Sequence, residues 1–102
     1  MPGEILREFL VSENRITQDA LAESMGVSRV TVNQLVNNHQ AVTPEMALRL
    51  ARALGTTPEL WLTLQLKADL DVARRTLGSQ LAAIKPLRPP SDAQAALLDK
   101  VG

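Results

Sequence analysis

The stretch Thr17–Asn38, TQDALAESMGVSRVTVNQLVNN, sets a glycine between two apolar stripes of helical period, and few arrangements satisfy it. Thr17 is a good helix N-cap, and Asp19 falls in the first turn, where an acid favours the helix dipole. Leu21, Ala22 and Met25 then form one apolar stripe. Gly26 follows at the position where a left-handed residue ends a helix without a Cβ penalty. Val27 can pack back beneath the turn. Ser28 caps a second helix running through Asn37, with Val32, Leu35 and Val36 facing inward. The small Ala22 lets two steeply crossed helices approach closely near the turn.

The outward positions of the second helix are Arg29, Thr31, Asn33, Gln34 and Asn37. Arginine pairs with guanine edges, and asparagine and glutamine with adenine; Val30 and the Thr31 methyl suit a thymine methyl group. A helix-turn-helix presents its second helix to the major groove in this way. Gln18 is placed either to reach a phosphate or to brace the second helix. Each feature alone has a plain structural reading, since helix–Gly–helix units and solvated amides are common in helical bundles. The joint spacing of Gln18, Ala22, Gly26, Val32 and Leu35 favours DNA.

The 102 residues allow one domain with a single core. Aromatics make up only 2%, Phe9 and Trp61, so the core must come from Leu, Val, Ile, Met and Ala. Without tyrosine, a stacking platform for single strands is disfavoured. The lack of cysteine and the lone His39 leave no disulfide, thiol chemistry, metal cluster or histidine triad. No phosphate loop or nucleophile–base pair is visible, so neither an enzyme nor a cofactor is expected. No apolar run approaches the roughly 18 residues of a membrane span and no signal peptide is visible, which leads to the expectation of a cytoplasmic protein without membrane contact. The charge balance opposes DNA binding: 11 basic residues meet 11 acidic ones, and within the motif Asp19 and Glu23 outnumber Arg29. Affinity must then come from local placement, helix N-termini and the avidity of a dimer.

Pro2-Gly3-Glu4 opens a first helix whose buried stripe should be Ile5, Leu6, Phe9 and Leu10, with Arg7 facing water. Ile16 precedes the Thr17 cap as one half of a hydrophobic staple. After a polar loop, Asn38–Val42, Thr43-Pro44-Glu45 starts another helix, with Met46, Ala47, Leu50, Ala51 and Leu54 inward and Arg49 and Arg52 outward. Gly55 ends it, and Thr57-Pro58-Glu59 repeats the start signal. The fifth helix carries Leu60, Trp61, Leu62, Leu64, Leu66, Leu70 and Val72 on more than one face, which requires a second partner. That partner is either a second copy, through Trp61, Leu62, Leu66 and Leu70, or the C-terminal segment folded back. From Leu77-Gly78-Ser79 the pattern weakens; Gln80–Ile84 suits a short helix or a covering segment. Lys85–Pro90 should be extended, and Ser91–Gly102 either a short helix over Ala93–Leu98 or a mobile tail. The expected division is residues 1–76, a DNA-binding domain with its dimerisation helix, and residues 77–102, a covering segment and Pro-rich tail.

On these residues the chain resembles the HigA-type antitoxins of the Xre helix-turn-helix class. The resemblance runs from Pro2 to about Arg88. It rests on Pro2-Gly3-Glu4-Ile5-Leu6, Leu21-Ala22, Gly26-Val27-Ser28-Arg29, Thr43-Pro44, Ala47–Ala51, Gly55-Thr56-Thr57-Pro58 and Trp61-Leu62-Thr63-Leu64-Gln65. The Gly-Val-Ser-Arg turn is widely shared, whereas the Pro-Gly-Glu start joined to the Trp-Leu-x-Leu-Gln helix is more specific. The resemblance implies an all-α, five-helix, lambda-repressor-like domain with an extended C-terminal tail, dimeric through its C-terminal helices. It implies repression of its own operon and binding of a HigB-like toxin, a RelE-type endoribonuclease that cuts mRNA. It puts Ser28, Arg29, Thr31, Asn33 and Gln34 on the base-reading surface. Two positions depart from the pattern. The loop reads Asn38-His39-Gln40 where glycine and basic residues are usual, a turn that asparagine can still make. Ala68 stands where an aromatic is frequent. The alternatives are a stand-alone Xre regulator without a toxin, and a protein-interaction module whose motif has lost DNA.

Overall fold

The computed structural model describes residues 1–12, 15–88 and 93–101. Six helices run through them: α1 (Pro2–Val11), α2 (Gln18–Met25), α3 (Arg29–Val36), α4 (Pro44–Leu54), α5 (Pro58–Ala82) and α6 (Ala93–Val101). No strand occurs among the described residues, and the all-α helix-turn-helix fold is as the sequence implies. Four starts use one device. The hydroxyls of Thr17, Ser28, Thr43 and Thr57 accept from the amides of Ala20, Thr31, Met46 and Leu60. Each such cap stabilises its helix by about 1 kcal/mol.

Those increments are small beside the core, where each fully buried Leu, Val or Met contributes roughly 1.5–3 kcal/mol. Leu6 and Leu10 of α1, Leu21, Ala22 and Met25 of α2, and Val32, Leu35 and Val36 of α3 meet Ala47 and Leu50 of α4. Trp61 closes this core from α5 with no exposed surface, and its indole N–H donates to Thr56 Oγ1 at 2.8 Å. Gln65, one turn further on, accepts from the Val42 amide at 2.8 Å and so fixes the end of the loop that follows α3. The Gly-Thr-Thr-Pro and Trp-Leu-x-Leu-Gln segments thus seat α5 on the domain.

Several expectations need correction. Ile5 is exposed and Phe9 half-buried, because Pro2 and Gly3 take the buried face instead. The order does not weaken at Leu77: α5 continues through Gly78 as one helix of 25 residues. One helical glycine costs about 1 kcal/mol relative to alanine, and the helix formers on either side outweigh it. Nor does the C-terminal segment fold back over α5, since Leu66, Leu70, Val72, Leu77 and Leu81 all stay exposed. Lys85 and Pro86 lie outside any regular element and Leu87 and Arg88 form a bend, while Pro89 and Pro90 lie outside the described residues. Beyond them a sixth helix joins the expected five, spanning the segment for which a short helix was one of two readings.

Candidate nucleic-acid interface

The turn between α2 and α3 is closed by backbone geometry. Gly26 sits at φ 71°, ψ 33°, and the Val27 amide reaches back to the Ala22 carbonyl at 3.0 Å. From behind, Arg49 of α4 donates to the Met25 carbonyl at 2.7 Å. Arg49 is therefore half-buried and spent on the last turn of α2, not free on an outer face as its spacing suggested.

With Val32, Leu35 and Val36 buried, the 100° step of a helix fixes what α3 shows to solvent. Val30, Asn33, Gln34 and Asn37, at i, i+3, i+4 and i+7, form the outer ridge, with Val30 and Gln34 most directly opposite the core. Val30 is 65% exposed. Arg29 flanks one side, its Nε 3.4 Å from Asp19 Oδ1 in an exposed pair of little energetic weight. Thr31 flanks the other, half-buried, its hydroxyl 3.0 Å from that of Ser28. The Ser28 and Thr31 hydroxyls are thus committed to the cap, and their place is structural before it is base-reading.

A relay of side chains runs along the ridge and ties three helices together. The Asn33 amide donates to Gln18 Oε1 on α2 at 3.3 Å. Asn37 donates to the Asn33 backbone oxygen and to Asn33 Oδ1, at 2.9 and 3.2 Å. Arg7 of α1 then donates to Asn37 Oδ1 at 2.6 Å. Of the two roles open to Gln18, bracing is the one observed. Among the described residues, Gln34 is the one ridge amide without a side-chain hydrogen bond.

Arg7 is the site residue that periodicity missed, because a water-facing position on α1 says nothing of which neighbour stands across from it. The signal was Gly3, one turn earlier. Its amide donates to Asn38 Oδ1 at 2.8 Å, and a Cβ built there would lie 2.5 Å from the Val36 carbonyl oxygen. Asn38 itself has φ 59°, the left-handed conformation expected of it, and its amide donates to Glu4. The Met1 ammonium, 3.0 Å from Glu4, holds the Glu4 carboxyl below its ordinary range, with the Asn38 amide adding to the effect. So the Pro-Gly-Glu start docks α1 on the end of α3 and brings a cation beside the ridge.

Elsewhere, Leu66 and Leu70 are exposed on α5 and Leu62 is half-buried, but Trp61 is wholly inside the protomer and has no surface to offer a second copy. Among the described residues there is no cluster of potential metal ligands, and no helix is long and apolar enough to cross a membrane.

Comparison with known proteins agrees with this geometry. The helix-turn-helix family model matches residues 6–61. The chain is 42% identical over 85 residues to Antitoxin HigA-1 of Vibrio cholerae, covering 83% of this chain and 80% of that one. Among solved structures, it is similar to the Pseudomonas aeruginosa antitoxin HigA with the higBA promoter, at 38% identity and a TM-score of 0.78, covering 85% of this chain and 96% of the other. It is also similar to an addiction-module antidote protein of the HigA family from Coxiella burnetii, at 35% identity and the same TM-score of 0.78, covering 83% of this chain and 94% of the other. The chain belongs to the Xre helix-turn-helix family, as a HigA-type antitoxin.

Proposed function

We propose that this antitoxin is a homodimer that represses its own promoter by reading operator DNA with α3, and that it also binds a HigB-like, RelE-type mRNA-cleaving toxin. The observation that carries the DNA-reading part is the outer ridge of α3. Two of its three amides, Asn33 and Asn37, are held in place by Gln18 and Arg7 before any ligand arrives, so for these little side-chain order remains to be created on binding. Arg7 eases the objection from the balanced charge, because it adds a phosphate-seeking cation at the end of the reading helix. The solved relative with its promoter supports the same use of the fold.

The dimer is supported by α5. Leu66, Leu70, Ala73 and Leu77 recur at 4-3-4 spacing and are largely exposed, as in one seam of a two-helix coiled coil. The toxin is supported by similarity to named antitoxins and addiction-module antidotes.

The test uses a duplex of about 30 bp from upstream of the protein's own reading frame, long enough for two half-sites about one helical turn apart. Fluorescence anisotropy should show tighter binding to it than to a scrambled duplex of equal composition. Equal affinity for both would sink sequence-specific repression and favour the interaction-module alternative. For the toxin, co-expression with the neighbouring reading frame should yield a stable complex that suppresses mRNA cleavage; a free, active nuclease would remove that part.

A further inference from the structure

Val30 occupies the outermost position of α3, yet it is apolar, β-branched and 65% exposed. Its neighbours on the ridge, Asn33, Gln34 and Asn37, are all polar, as a solvated helix face would be. Valine is also a weak helix former, so neither stability nor solubility calls for it at the second residue of an eight-residue helix. None of the described residues covers it. The next residue, Thr31, carries a methyl of the same kind, but it is turned to the flank and its hydroxyl is joined to Ser28.

In the major groove the one apolar feature on a base edge is the C5 methyl of thymine. Resting on the reading of α3 as the DNA-contacting helix, we infer that Val30 is a specificity determinant that packs on a thymine methyl in each operator half-site. Gln34, the unpartnered amide one turn along the same ridge, hydrogen-bonds a neighbouring base edge. The two side chains then read adjacent steps by different chemistry, one by apolar contact and one by polar pairing.

The experiment needs no variant to begin. In the upstream duplex, each thymine is replaced in turn by deoxyuridine, which removes the methyl and leaves every hydrogen-bonding group. At one position per half-site the wild-type protein should lose about fourfold in affinity, the value of one buried methyl-sized group. The same replacement should have no effect on Val30→Ala, which should bind thymine and uracil operators alike. Circular dichroism should show the variant as helical as the parent, since alanine suits the position better. The inference is overturned if no uracil replacement matters, or if those that matter cost wild type and Val30→Ala equally. Absence of specific binding to any upstream duplex is a separate outcome: it would overturn the DNA-reading function itself, and Val30 with it.

Discussion

Three glycines separate into three physical situations. Gly26 has positive φ with the Arg49 guanidinium 3.3 Å from where a Cβ would be, so Gly26→Val should destabilise the domain by well over roughly 1 kcal/mol. Gly3 is helical, and its constraint is contact: a methyl there meets the Val36 carbonyl and the Asn38 side chain. Gly3→Ala should therefore loosen α1 from the end of α3 and lower the melting temperature despite alanine's better helix propensity. Gly78 faces open space inside α5, and Gly78→Ala should stabilise by about 0.5–1 kcal/mol. Urea unfolding of the three variants checks all of this. An unchanged Gly26→Val midpoint would mean that the turn is misread.

The helix α3 behaves as a unit because its side chains are wired to both neighbours. Asn33→Ala or Gln34→Ala should each cost about 1–3 kcal/mol on the operator while sparing non-specific binding. Asn33→Ala also frees Gln18, while Asn37 keeps its bonds to the backbone oxygen of residue 33 and to Arg7, so its cost should lie at the upper end of that range. Arg7→Ala should behave differently. It should weaken binding to all sequences by a similar factor and lower the salt slope by about one unit, as the loss of one phosphate contact does. Titrations at several salt concentrations separate the two patterns. If Arg7→Ala leaves the slope intact, the cation serves only to hold Asn37.

On the scale of the molecule, α5 is the dominant feature. Its 25 residues span about 37 Å, and the radius of gyration of 17.6 Å exceeds the roughly 13 Å of a compact chain of this length. The first turns of α5 complete the core through Trp61, while the rest projects with Leu66, Leu70, Leu77 and Leu81 exposed. Light scattering at micromolar concentration should give about twice the chain mass of 11.1 kDa. Leu70→Asp combined with Leu77→Asp should return a folded monomer, because neither side chain belongs to the core. That monomer should bind the operator far more weakly, having lost the avidity of paired half-sites.

Local chemistry was enough to determine the helix starts, the left-handed positions of Gly26 and Asn38, and the buried faces of α2 and α3. Caps, glycine conformations and the 3.6-residue period act within a turn or two of chain, so the sequence states them directly. Motif spacing and family resemblance likewise put Arg29, Asn33, Gln34 and Asn37 on an exposed helix or its cap. Contacts across 24 to 35 residues of chain were decided by packing alone: Arg7 with Asn37, Arg49 with the Met25 carbonyl, and Gly3 with Asn38; packing also chose bracing, on Asn33, from the two readings open to Gln18. The same holds for Trp61, which a count of apolar faces assigned to a second copy and which the core absorbs whole. Periodicity says which side of a helix is apolar or polar; which neighbour stands opposite depends on how the helices cross, and no single helix encodes that.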